Sequence, residues 1–148
     1  MKALRQRLGS EETGAAYAAI EMILVLALIL LPLLAGIAQI PRWVDAKSTA
    51  DLAAQEAART MVLADSWEGG ELAAAAVVAA VVENRGMDVG VVEGLAIGGE
   101  LMRGGTIVVT VTIRVPPVVL PGFGPVGGSI SLSRSASERV DDYREITG

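Results

Sequence analysis

Residues 15–40, AAYAAIEMILVLALILLPLLAGIAQI, carry one charge, Glu21, and are aliphatic almost without interruption from Met22 to Ala38. As a helix this segment would be about 39 Å long, against a hydrocarbon layer of about 30 Å, so it can span a bilayer with some tilt. A helix buried in a water-soluble domain needs only one apolar stripe, whereas this segment is apolar on every face. The segment therefore reads as a single transmembrane helix. Its rival is a cleaved secretory signal, with Lys2, Arg5 and Arg7 as the charged start and Gly36-Ile37-Ala38 as the small residues before a cut. Against that rival stand the length of the apolar run and the acidic residues Glu11, Glu12 and Glu21.

The span divides the chain into a short polar tail (1–14), the membrane helix (15–40), one small domain (41–140) and a polar end (141–148). Lys2, Arg5 and Arg7 precede the span and Arg42 and Lys47 follow it, so the positive-inside asymmetry is thin. A very short N-tail beside a much longer C-terminal region makes N-in, C-out the default, with the tail cytoplasmic and its basic residues near anionic headgroups.

Composition narrows the chemistry. A net charge of −5 without a dense basic patch makes nucleic acid a poor partner. The chain has no cysteine and no histidine, which excludes disulfides, thiol catalysis, histidine triads and the usual zinc sites. Carboxylates are scattered singly apart from Glu11-Glu12 and Asp141-Asp142, and the Gly pairs lack the Lys-Ser/Thr of a phosphate-binding loop. No catalytic residue, metal site, cofactor or small-molecule substrate is expected.

Along the chain, Pro32 removes the hydrogen bond to the carbonyl of Leu28 and Pro41 the one to Ile37, so both are expected to kink or loosen the helix. After Pro41, the residues Trp43, Ala46, Ala50, Ala53, Ala57 and Ala64 recur at spacings of three and four with a gap at Thr60. This predicts an amphipathic helix with a small-residue seam. Trp43 suits a membrane-interface anchor, and a core role fits it nearly as well. Residues 65–70, DSWEGG, read as a loop. A helix is expected to follow from Glu71 to a stop at Gly86; the Val pairs leave a strand reading open, and the alanine run favours the helix. It has no polar side chain from Leu72 to Val82, which predicts burial on nearly all faces, inside the domain or under a partner.

The remainder reads as β structure. Met87–Ile97 is expected as a strand, followed by a Gly-bounded turn. TIVVTVTIRV places Ile107, Val109, Val111, Ile113 and Val115 on one face. PPVVLPGFGPVGG is a Pro/Gly-rich excursion, and SISLSRSASERV alternates again with serines on the wet face. The expected fold class is α+β. A long N-terminal transmembrane helix continues into an amphipathic helix, then come a second short helix and a small antiparallel sheet of about three strands.

Taken in order, these features resemble the TadE-like family, the minor pseudopilins of Tad/Flp-type pilus systems. The features are the basic tail, the Gly14-Ala15 junction, Glu21 early in a span with Pro32, and the helix around DAKSTADLAAQEAART. After them come the Ala-rich segment, the strand TVTIRV, the loop PPVVLPGFGP and the serine strand ending in VDDYRE. The resemblance implies a type IV pilin-like architecture in the cytoplasmic membrane, with the domain outside and the hydrophobic helix able to pack in a filament. It implies other pilins and the inner-membrane assembly platform as partners, with prepilin peptidase a further one if the leader is cut. In such families the peptidase cuts after a Gly, and a Glu at the fifth mature position pairs with the new amine. An ammonium and a carboxylate are each costly in hydrocarbon, which gives that pairing its physical basis. Cutting after Gly14, before Ala15, would place Glu21 seventh; cutting after Ala16, before Tyr17, would place it fifth with Ala at the usual Gly position. An uncut assembly factor is a version of the same reading. An anchored or secreted binding module, unrelated to pili, is the alternative.

Overall fold

The computed structural model describes the backbone of residues 2–120 and 124–142, and the side chains of residues 16–119, 124–125 and 127–142. The whole expected tail, residues 1–14, together with Ala15 and the end of the chain from Tyr143, therefore lies outside the described side chains.

One helix, α1 (Lys2–Leu63), carries the span and the amphipathic segment without a break. It is about 93 Å long at the standard rise per residue. Pro32 and Pro41 both lie inside it, so neither ends the helix. The alanine seam is where α1 meets the domain. Ala50, Ala53, Ala54, Ala57, Ala58 and Met61 are all fully buried, and Ala46 nearly so. Trp43, expected at the head of that seam, keeps 38% of its surface exposed. The gap residue Thr60 turns its hydroxyl back to the Glu56 carbonyl at 2.8 Å, which satisfies it within the helix.

Helix α2 (Trp67–Asn84) begins four residues before the expected start. The Ser66 side chain caps it by accepting the Gly69 N–H at 3.2 Å. The Gly pair that read as a loop is helical, and Gly70 has a packing reason to be glycine. A Cβ there would stand 2.8 Å from Met61 Sδ and 2.9 Å from Ala64 Cβ. The expected stop is present as a Schellman motif. Gly86 has φ 71° and donates to the Glu83 carbonyl, and Met87 N–H reaches the Val82 carbonyl at 3.1 Å.

The expected burial of 72–82 inside the domain is not found, which leaves its other version, cover by a partner. Within α2 only Gly70, Ala74, Val78 and Val82 are buried, while Leu72 is 70% exposed and Ala73, Ala75, Ala76 and Ala80 face outward. The helix packs mainly against α1, which covers one of its faces.

The expected strand at Met87–Ile97 is also shifted. Asp88 accepts the Gly90 N–H at 2.7 Å and starts a short 3₁₀ turn at Val89–Val91, so the strand β1 runs Val92–Gly99. It pairs antiparallel with β2 (Thr106–Val115), with a register shift between Val92 and Gly94. The Pro/Gly excursion contains a small antiparallel ribbon of β3 (Val118–Leu120) and β4 (Gly124–Val126) that the sequence did not signal. The last strand, β5 (Ile130–Arg139), pairs with β2 from Thr106↔Arg139 to Val115↔Ile130. The sheet order is β1-β2-β5.

The core lies between α1 and the inner face of this sheet. Ile107, Val109, Val111, Ile113 and Val115 are at most 4% exposed, and alternate residues of β2 face outward. Small side chains on α1 let the sheet approach the helix backbone closely, and the branched residues of β2 fill the space between. The outer face of the sheet is hydroxyl-rich, with Thr110 and Ser135 paired at 2.8 Å and Thr112 and Ser133 at 2.9 Å.

Candidate functional site

The surface that distinguishes this molecule is the N-terminal half of α1. Every residue from Ala16 to Leu34 is exposed, including Ile23 at 66%, Leu28 at 72% and Leu34 at 57%. That face-independent exposure of large aliphatic side chains is unfavourable in water and ordinary in lipid. The apolar window has a mean hydropathy of 2.7 and only 6% of it is buried. Between Glu21 and Arg42 there is no charged residue, and Gln39 is the one polar side chain in that interval. Twenty such residues rise about 30 Å, which matches a bilayer's hydrocarbon thickness.

Among the residues expected to act, Ala16, Tyr17 and Glu21 lie exposed near the start of this surface, with Tyr17 75% exposed. Tyr17 and Glu21 are four residues apart, about 6 Å along the axis and on neighbouring positions of one face. No neighbour within the described part of the chain makes an ion pair with Glu21. Its carboxylate therefore faces whatever surrounds the helix. Gly14 and Ala15, the other residues of the expected cleavage region, lie outside the described side chains. Gly36 is exposed, and a Cβ built on it would meet no atom within 4 Å, so the lobe does not require glycine there.

Nearer the lobe, Ala35 and Gln39 become buried at 5% and 8% exposure. They line a cleft of about 250 Å³ with Pro32, Gly36, Trp43, the Gly127-Gly128 pair before β5 and Ile130 at its start. Gln39 Oε1 is buried there without a hydrogen-bond partner. Sequence reasoning missed Gln39. Its signal was available, since an amide inside a charge-free apolar run is costly and calls for an explanation.

A second cleft, about 440 Å³, sits beside the start of the seam and includes Arg42, Asp45, Arg85, Asp88 and Arg114 on its walls. Its charges are mixed in sign. Arg114 pairs with Glu93 at 2.6 Å, and Arg85 donates to Ser48 Oγ at 3.3 Å. Glu93 also accepts from the Ser131 hydroxyl, so this corner ties β1, β2 and β5 together. Across the sheet, Arg134 reaches Asp51 at 3.4 Å and links β5 to α1. These pairs are partly exposed, and solvent screening limits what each adds to stability. Among the described residues no three acidic side chains come together as a metal-binding group.

The comparisons bear on the same helix. No curated protein and no solved structure matches the chain. A family model does match, and it covers α1 from its first described side chain through most of the buried seam, stopping before α2 and the sheet. Residues 16–59, less than a third of the chain, match the model for TadE-like protein, the family that the sequence resembles, and among the described residues α1 is the one helix long and apolar enough to cross a membrane.

Proposed function

We propose that the chain is a non-catalytic minor pilin or pseudopilin-like component of a Tad/Flp-type pilus, acting through lateral packing of α1 and contacts of its outer lobe. The observation that carries this reading is the exposed stretch Ala16–Leu34, continuous in one helix with the seam that holds the lobe. A rod of this kind can leave lipid for the equally apolar company of other pilin helices without desolvating charge, apart from Glu21. An intramembrane carboxylate calls for a partner, and an N-terminal ammonium of a neighbouring subunit would supply one. Such a pair would set the stagger between helices. The lobe would lie outside the cytoplasmic membrane, with the N-terminus inside. Its partners would be other pilins, the assembly platform and, where the leader is cut, prepilin peptidase.

Glu21→Ala tests the reading. Assembly of pili should fail while membrane insertion and abundance are retained, and unchanged piliation would remove the pairing role. Mass spectrometry of the native protein separates the two versions of the proposal. A mature N-terminus at Ala15 or Tyr17 identifies a processed subunit, and an intact Met1 identifies an uncut assembly factor. A second reading, an anchored binding module outside any pilus, draws support from the uncovered face of α2 around Leu72 and Ala76. Normal piliation after deletion of the chain would favour it.

A further inference from the structure

We propose that the β3–β4 ribbon and the segment after it form a second membrane contact, resting in the lipid interface beside α1 on the lobe's side of the bilayer. The inference rests on the reading of α1 as a membrane span and adds a contact that the span alone does not require.

The first observation is depth. Gly127, Gly128 and Ile130 share a cleft with Pro32, Ala35, Gly36, Gln39 and Trp43. Those α1 residues are spaced by three and four and form one stripe of the helix, covering about 16 Å of its length. The charge-free interval of α1 ends only at Arg42. If that interval fills the hydrocarbon layer, the segment after β4 descends past the membrane boundary to the level of the helix's last turns in lipid.

The second observation is composition. From Val115 to Ser133 there is no charged residue, although the strands on either side carry Arg114 and Arg134. Val119 is 68% exposed and Ile130, which lines the cleft against α1, is 41% exposed, so apolar side chains of the ribbon and of the segment after it are uncovered. Pro116, Pro117 and Pro125 each remove a backbone N–H. Main chain entering a membrane interface loses water as a hydrogen-bond partner, so fewer donors lower the cost. The pairing of Val118–Leu120 with Gly124–Val126 satisfies others within the ribbon.

The third observation is that the cleft is open. A Cβ on Gly36, Gly127 or Gly128 would meet nothing within 4 Å. The buried Gln39 carbonyl has no partner in it, and Trp43 stands at its edge, 38% exposed. A largely apolar cleft lined by an unpartnered amide oxygen and a partly exposed tryptophan suits the boundary between acyl chains and headgroups. Continuity with the span selects lipid as the occupant. The consequence is mechanical: the lobe is held at two points and cannot swivel freely about α1.

The chain has no cysteine, so single-cysteine probes can be placed in the full-length protein. Val119→Cys, Leu28→Cys and Val108→Cys would each carry a small environment-sensitive fluorophore in vesicles of phosphatidylcholine and phosphatidylglycerol. Nitroxide lipids labelled near the headgroup should quench the Val119 probe roughly twofold or more above the Val108 probe, which lies on the outer sheet face. Nitroxides near the chain ends should quench the Leu28 probe. Quenching of the Val119 probe by aqueous iodide as efficient as at Val108, with Leu28 still in lipid, would overturn the ribbon contact alone. Disulfide-linked dimers of the unlabelled Val119→Cys protein under an added oxidant, with no lipid quenching of the labelled one, would also overturn it, by naming a second copy as the occupant. Loss of lipid quenching at Leu28 would instead remove the span and the ribbon contact with it.

Discussion

The two halves of α1 share one backbone and have opposite burial. From Ala16 to Leu34 the helix exposes leucines, isoleucines and valines, while from Ala46 to Met61 it buries mainly alanines at 0–3% exposure. In water the reverse would be stable, because burial of apolar area is worth about 25 cal/mol per Å² and leucine has far more of it than alanine. The difference teaches that the two halves meet different solvents. Bulky chains are matched to lipid, where being outside carries no penalty. Alanines are matched to a sheet that must come close to the helix.

The contrast can be broken most severely through the lobe's core. Ile113→Ala removes a side chain that is 1% exposed and packed over the seam, and should cost about 2–5 kcal/mol of lobe stability, read by denaturant unfolding in detergent. If the loss were under about 1 kcal/mol, the sheet would not be the seam's main partner. In the other half, Leu28→Arg should leave lobe unfolding unchanged and raise the insertion free energy by about 2.5–3.5 kcal/mol, measured as the alkali-resistant membrane fraction. Unchanged insertion would place Leu28 away from the bilayer centre. Ala57→Leu sharpens the comparison, because the larger residue that is harmless at position 28 should overpack the seam by about 1–3 kcal/mol. The smallest effect is expected at Ala76→Asp. The uniformly apolar run 72–82 argues for a large loss there, yet the side chain is exposed, so only helix propensity, below about 1 kcal/mol, should register. A large loss in the full-length protein would mean that a partner covers α2.

Several elements were legible before any coordinates. The period-two pattern of Thr106–Val115 named both faces of β2, and the three-and-four spacing of alanines found the seam. Glycine was ambiguous. Gly86 stops α2 as expected because its φ is positive, whereas Gly70, in a stretch that also looked like a break, is helical and admits Met61. Local sequence does not distinguish a glycine needed for a turn from one needed for close approach. Proline and glycine also hid the β3–β4 ribbon, since they weaken the propensity signals by which strands are recognised. Among the candidate site residues, Glu21 and Pro32 stand out by type alone. Gln39 gains meaning only from the loop that folds against it.

Sequence alone determined the long apolar helix, its continuation as an alanine-seamed rod and the alternating strands, because each follows from a repeat carried by neighbouring residues. Tertiary structure decided which side of α2 is covered, where Gly127-Gly128 meets α1, and that the Pro/Gly segment pairs with itself. Those outcomes depend on contacts between distant parts of the chain, and a local period specifies which face is apolar without specifying what, if anything, will cover it.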